Sequence, residues 1–235
     1  MGNFSQKIDK FIEIFIDQNG YVRVVQGLQN TLLIAVCGLI IGILIGTIIA
    51  TVRVLPKYKM LPRVLNGFCS FYVALFRGTP MVVQLLIVHF ALFPAIGLNI
   101  PAEVEGTIAF GMNSGAYICE IMRGGILSVD KGQMEAGRAL GLGYGRTMIK
   151  IVLPQAVKNV VPTLGNEFIA LIKETSVVSF IAVVDVTRAF QAIANSTFKY
   201  ILSYLMLAAV YLVLVLIVTL IIRIIERRLR ASDRR

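Results

Sequence analysis

Apolar residues fill five long stretches of this 235-residue chain, roughly 27 to 52, 64 to 93, 104 to 122, 163 to 184 and 200 to 222, with polar segments between them. Crossing the hydrocarbon core of a bilayer takes about 20 apolar residues in a helix. Each stretch therefore predicts a transmembrane helix, and the chain reads as an all-α integral membrane protein with five spans. The second stretch is the least regular, because Arg77-Gly78-Thr79-Pro80 lies inside it. Proline following so closely on glycine predicts a break there, and a split at that point gives a six-span alternative. Residues 1 to 20 obey another rule. Phe4, Ile8, Phe11, Ile12, Phe15 and Ile16 recur at helical spacing, while Asp9, Glu13 and Asp17 interrupt any continuous apolar core. That pattern predicts an amphipathic helix lying on the outer leaflet instead of a cleavable signal. Residues 21 to 235 form one transmembrane domain with a polar loop at about 123 to 162.

A short helix is expected inside that loop. Gln133, Met134, Glu135, Ala136, Arg138, Ala139 and Leu140 are good helix formers between Gly132 and Gly141, and glycine commonly ends helices. The result is a two-turn helix standing in water, with Glu135 in its first turn and a thin surface at Ala136, Gly137 and Ala139. Pro154 and Pro162 then bracket a further helical stretch.

The composition agrees with a membrane protein: 57% hydrophobic and 15% charged residues, with a mean hydropathy of +0.81, exceed what a soluble domain carries. The formal net charge of +10 is unevenly placed. Arg53, Lys57, Lys59 and Arg63 follow the first span; Arg123, Lys131, Arg138, Arg146, Lys150 and Lys158 surround the loop helix; Arg223, Arg227, Arg228, Arg230, Arg234 and Arg235 close the chain. No Lys or Arg lies between Pro94 and Glu105, and the turn expected near 185 to 199 holds only Arg188 and Lys199. An excess of cations marks the cytoplasmic side. The amino end is then outside and the carboxyl end inside, which needs an odd number of spans. Cations at span ends, not on one soluble face, argue against nucleic acid as a partner.

Ionisable and polar groups within spans are the candidates for chemistry. On the fourth span Thr163, Glu167, Ala170 and Glu174 share one helical face, with Asn166 beside them. Lys173 neighbours Glu174 and reads as its structural partner, whereas Glu167 has no obvious cation in its span and invites a cationic ligand. Asn113, Ser114 and Tyr117 on the third span and Gln84 on the second are neutral groups that either bind a zwitterion or hydrogen-bond between helices. Glu120 and Arg123 fit an i, i+3 ion pair. Gly38, Gly42 and Gly46 repeat every four positions, a spacing suited to close helix packing. Cys37, Cys69 and Cys119 lie singly in apolar runs and the only histidine, His89, cannot build a metal site alone.

The loop pattern Glu135-Ala136-Gly137, three residues, Gly141, nine residues, Ile151-Val152-Leu153-Pro154 resembles the coupling-loop signature of permeases in ATP-binding-cassette importers. Phe76-Arg77-Gly78-Thr79-Pro80 with Gln84, Ala116-Tyr117 with Glu120 and Arg123-Gly124-Gly125, and Asn166-Glu167 leading to Leu171-Ile172-Lys173-Glu174-Thr175-Ser176 resemble the polar amino acid uptake group of that family. One departure is Gly137, where alanine is usual. The resemblance implies a complex of two permease subunits, identical or siblings, two cytoplasmic ATPases that bind ATP and Mg²⁺, and an extracytoplasmic binding protein, in a prokaryotic cell membrane. Glu135, Ala136, Gly137, Arg138 and Gly141 would contact the ATPase. Glu167 would face the substrate path, suiting arginine, lysine or histidine, with glutamine or another neutral polar amino acid as the alternative. Gly141-Leu142-Gly143-Tyr144-Gly145-Arg146 lacks the lysine of a phosphate loop, so ATP hydrolysis is expected on a separate chain. An ion-coupled secondary transporter, a channel and a structural scaffold are the readings from other classes.

Overall fold

The computed structural model describes residues 12–17, 19–54, 58 and 60–231. Among these the regular structure is helical: α1 (Gly20–Val54), α2 (Met60–Gly78), α3 (Met81–Ile87), α4 (Ala102–Leu127), α5 (Lys131–Ala139), α6 (Leu153–Glu174), α7 (Val186–Thr197) and α8 (Tyr200–Ala231). A π-helical turn, Val88–Leu92, extends α3, and another, Met148–Val152, leads into α6.

By length and apolarity two described helices qualify on their own to cross a membrane, Gly20–Val54 and Tyr200–Arg228. A third candidate is the pair Met60–Gly78 and Met81–Ala95, bent by 108°. The bend falls at the expected break, where α2 ends at Gly78 and Pro80 precedes α3. α4 and α6 are long helices that fall short of that apolarity.

The chain divides into two compact units, one of residues 1–38, 80–110 and 170–218, the other of residues 39–79, 111–169 and 219–235. In the first unit the core is Val24, Val186, Ala189, Phe190 and Ile193, against which Phe15, Leu28 and Met206 pack. Much of that core comes from α7, which replaces the turn expected near 185 to 199. The carboxylate of Asp185 caps α7, accepting from the backbone N–H of Arg188 at 2.8 Å and Thr187 at 3.0 Å. Its buried residues Val186, Ala189, Phe190, Ile193, Ala194 and Thr197 follow the helical repeat. Asn30 donates to the carbonyl of Val184 at 2.8 Å, tying α1 to the entry of α7. Of the amphipathic segment expected at 1 to 20, residues 1–11 and 18 lie outside the described residues; Ile12 and Ile16 are exposed.

The second unit is organised by a seam between α1 and α4. A Cβ at Gly42 would lie 2.8 Å from the Cβ and Oγ of Ser114, and one at Gly46 would lie 2.8 Å from the Cβ of Ile118. In the opposite direction, Cβ atoms at Gly111 and Gly115 would meet the side chains of Ile41 at 2.4 Å and Ile45 at 2.8 Å. Each helix thus offers glycine where the other offers bulk, and the backbones approach closely. The other side of α1 presents Leu33, Ile40, Leu44 and Ile48, exposed as a lipid-facing stripe would be. Tyr72 adds a cross-helix bond, donating to the carbonyl of Met112.

Two further expectations are corrected. Pro162 does not bound a helix but lies inside α6, which begins nine residues before it at Leu153. Proline costs one backbone bond and crowds the carbonyl four residues back, yet α6 is packed closely before and after it, where a Cβ at Gly125 would meet Val160 at 2.2 Å and one at Gly165 would meet Ile222 at 2.6 Å. The fourth predicted span also stops early: α6 ends at Glu174, a 3₁₀ segment runs from Thr175 to Ile181, and Ala182 turns the chain with φ 64°.

Leucine at position 42 or 46 must open the α1–α4 seam, so each substitution is expected to cost about 1–3 kcal/mol, as overpacked cores do. Thermal unfolding of the solubilised chain checks this, with Gly67→Ala, inside α2 where a Cβ meets nothing within 4 Å, expected to hold the midpoint or raise it slightly through its better helix propensity.

Candidate functional site

Ser114 and Glu167 come together. Ser114 is fully buried on α4, and its hydroxyl donates to a carboxylate oxygen of Glu167 on α6 at 3.2 Å. The expectation of an unsupported carboxylate is therefore corrected: Glu167 is half-buried and held by a neighbouring helix. On the same strip of α6 Thr163 and Asn166 are exposed, followed by Lys173 and Glu174, also exposed. No ion pair joins Lys173 to Glu174 among the described residues. Being adjacent on a helix, they point in different directions.

The other candidates separate. Asn113 is buried and donates to the carbonyl of Phe76 at 3.3 Å, an interhelical role. Tyr117 is exposed, with the guanidinium of Arg77 over its ring at 5.3 Å from the centroid. Gln84 is buried on α3 within the first unit.

Arg53 belongs to the Glu120 cluster as well. Glu120 does pair with Arg123, at 3.0 Å, but its other oxygen is taken by Arg53 from the last turn of α1. The signal was available, since Arg53 lies seven residues beyond Gly46 and so continues the face that meets α4. Near this cluster a crevice of about 650 Å³ opens between the end of α4 and the start of α6, with Glu120, Ser128, Lys158, Asn159 and Thr163 among its walls. Asn159 donates to the hydroxyl of Ser128 at 2.9 Å across it. In the first unit His89 meets the buried carboxylate of Glu105, another pairing the sequence did not announce.

The loop helix is α5. It begins at Lys131, two residues earlier than expected, because the Asp130 carboxylate accepts from the N–H of Gly132 at 2.6 Å. Glu135 therefore lies in the second turn, and Asp130 is the acid at the positive end of the dipole. At the other end the N–H of Gly141 reaches the carbonyl of Arg138 at 2.9 Å and that of Leu142 reaches Gly137 at 3.1 Å. This paired closure needs a left-handed residue, and Gly141 supplies it with φ 78°. Glu135, Ala136, Arg138, Ala139 and Leu140 are exposed. Gly137 is not part of that outer surface, contrary to expectation: it is buried, and a Cβ there would sit 2.4 Å from the methyl of Thr147. Gln155 on α6 donates to the side chain of Gln133 at 3.1 Å. The helix is thus seated on its own chain at two points, one of them on the helix that carries Glu167.

The description "binding-protein-dependent transport system inner membrane component" matches residues 30–231. The chain belongs to that family. As a member it is a transport component of the membrane, with ATP hydrolysis on a separate chain, and the ion-coupled, channel and scaffold readings fall away. It is 39% identical over 209 residues to a putative glutamine transport system permease protein of Rickettsia bellii, covering 89% of this chain and 94% of that one. It is 40% identical over 210 residues to an arginine transport system permease protein of Bacillus subtilis, with the same coverage. An L-cystine transport system permease protein of Bacillus subtilis is 38% identical over 204 residues, 86% of this chain and 85% of that one. Among solved structures, an amino acid transporter of the ATP-binding-cassette class crystallised with histidines superposes with a TM-score of 0.82 at 37% identity, covering 91% of this permease and 98% of that chain.

Alanine at 137 would raise intrinsic helix propensity yet collide with Thr147, so Gly137→Ala is expected to lower stability by about 1–3 kcal/mol. Adding Thr147→Ala removes the colliding methyl and should recover most of that loss, measured by thermal unfolding of the single and double variants.

Proposed function

We propose that this permease forms the path for a polar amino acid, of the basic group, in an ATP-driven importer. Two permease subunits, identical or siblings, would join two cytoplasmic ATPases carrying ATP and Mg²⁺ and an extracytoplasmic binding protein. Five spans, an external amino end and a cytoplasmic carboxyl end are supported by the five apolar stretches of the sequence and by the side on which the cations gather.

The observation that carries the substrate reading is the carboxylate of Glu167, on a membrane helix, supported by the Ser114 hydroxyl. Glu120 is closed by two guanidinium groups and serves the scaffold. An acid placed in a low-dielectric path recruits a cation, and a guanidinium, an ammonium or an imidazolium is the cation that distinguishes basic amino acids. Asn166 and Thr163, exposed on the same strip, offer neutral hydrogen bonds to the rest of the ligand. Glutamine is the second reading, favoured by the glutamine permease relatives; in that case Glu167 holds the α-ammonium group.

Coupling follows from the seating of α5. The exposed run Glu135, Ala136, Arg138, Ala139 and Leu140 meets the ATPase, while Gly137 and Gly141 shape the helix behind it. Motion of α5 passes to α6 through Gln133–Gln155 and thus to the helix bearing Glu167. ATP binding would favour one of two packings, and only contacts that differ between those packings transmit work.

Glu167→Gln keeps the size of the side chain and removes its charge. Uptake of labelled arginine by cells expressing the importer is expected to fall at least tenfold, with complex assembly and basal ATP hydrolysis retained. Arginine uptake at the unsubstituted level would remove Glu167 from the site.

A further inference from the structure

We propose that Gly42, on α1, is a specificity-determining positioning residue that acts through Ser114 on Glu167. The inference rests on the reading of Glu167 as the substrate's counter-ion. Ser114 Oγ is the meeting point of three helices: it donates to Glu167 on α6 at 3.2 Å, and it faces Gly42 on α1, where a Cβ would lie 2.8 Å away. The Cβ of Ser114 would be equally close, and rotating the hydroxyl cannot move that atom. The backbone of α4 closes the same space, with the N–H nitrogen of Gly115 at 3.2 Å from the added carbon.

Any side chain at 42 must therefore open a 2.8 Å contact to the 3.4 Å of ordinary van der Waals packing. Ser114 is fully buried and cannot yield outward. A displacement of that size either breaks its hydrogen bond to Glu167 or drives the carboxylate from its place. In both cases the charge that receives the substrate's cation moves, although residue 42 never touches substrate. Position alone governs how well a fixed charge selects a cationic from a neutral ligand, because the electrostatic gain falls with separation and with entry of water.

The seam supplies its own control. Gly46 lies one turn further on and would meet Ile118 at the same 2.8 Å, so alanine there loosens the same helix pair without facing Ser114. The experiment is equilibrium binding of labelled arginine and labelled glutamine to the permease–ATPase complex in nanodiscs, without binding protein, so that the permease site alone is read. Gly42→Ala and Ser114→Ala are each expected to raise the arginine Kd at least fivefold and to reduce the preference over glutamine. The double variant is expected to stay within twofold of the larger single effect, because both act on one hydrogen bond. Gly46→Ala is expected to remain within twofold of the unsubstituted complex.

The proposal is overturned if Gly46→Ala weakens arginine binding as much as Gly42→Ala, or if the two single effects multiply in the double variant. Glu167→Gln separates the two levels of the account. A raised Kd for Glu167→Gln with unchanged values for Gly42→Ala and Ser114→Ala overturns the positioning role alone. An unchanged Kd for Glu167→Gln overturns the site and the positioning role together. Should Gly42→Ala prevent assembly, Ser114→Gly added to it clears the contact, and the pair is expected to bind like Ser114→Gly alone; weaker binding than that contradicts the proposal.

Discussion

The close approach of α1 and α4 is the constraint on which the second unit depends. In lipid, helices gain little from burying apolar surface, because the tails are as apolar as leucine; association rests on packing and interhelical hydrogen bonds. The reciprocal fit of Ile41 with Gly111, Gly42 with Ser114, Ile45 with Gly115 and Gly46 with Ile118 brings two backbones together over more than one turn. Everything polar nearby is placed by that fit. Ser114 is carried to Glu167, and Arg53 at the end of α1 is carried to Glu120 on α4.

Charge inside a membrane protein is expensive, and this chain spends it in two ways. Arg53 and Arg123 close on Glu120, and the bond from Arg53 ties α1 to α4. Glu167 accepts a hydrogen bond from a hydroxyl of a neighbouring helix, which orients its carboxylate. The same division holds for the neutral groups. Asn113 and Tyr72 satisfy backbone carbonyls of neighbouring helices, Phe76 and Met112, while Asn166 and Thr163 stay at the surface of α6.

Much of this was legible in the residues, and what was not has physical causes. The break at Arg77 to Pro80, the glycine repeat of α1 and the loop helix ended by Gly141 each carry a local signal, and each is present. α7 escaped because its polar residues, read as a loop, hide an apolar face of helical period behind the Asp185 cap. Pro162 stands inside a helix because the cost of one proline is local, whereas α6 is packed on neighbouring helices at Val160 and Gly165. Gly137 was assigned to the outer surface because composition shows that a residue is small and not which way it points; the reason for glycine is Thr147, ten residues on. Arg53 is legible as a continuation of the face that carries Gly42 and Gly46, whereas the pairing of Glu105 needs the register between helices, which no single stretch of sequence contains.

The central claim is that a seated, charged Glu167 makes this permease a path for basic amino acids under the control of an ATPase pressing on α5. The most direct test is ATP hydrolysis by the reconstituted complex with its binding protein present, comparing arginine, lysine, histidine and glutamine. The account predicts stimulation by at least one of the basic amino acids and little by glutamine. Stimulation by glutamine with no response to any basic amino acid would contradict it.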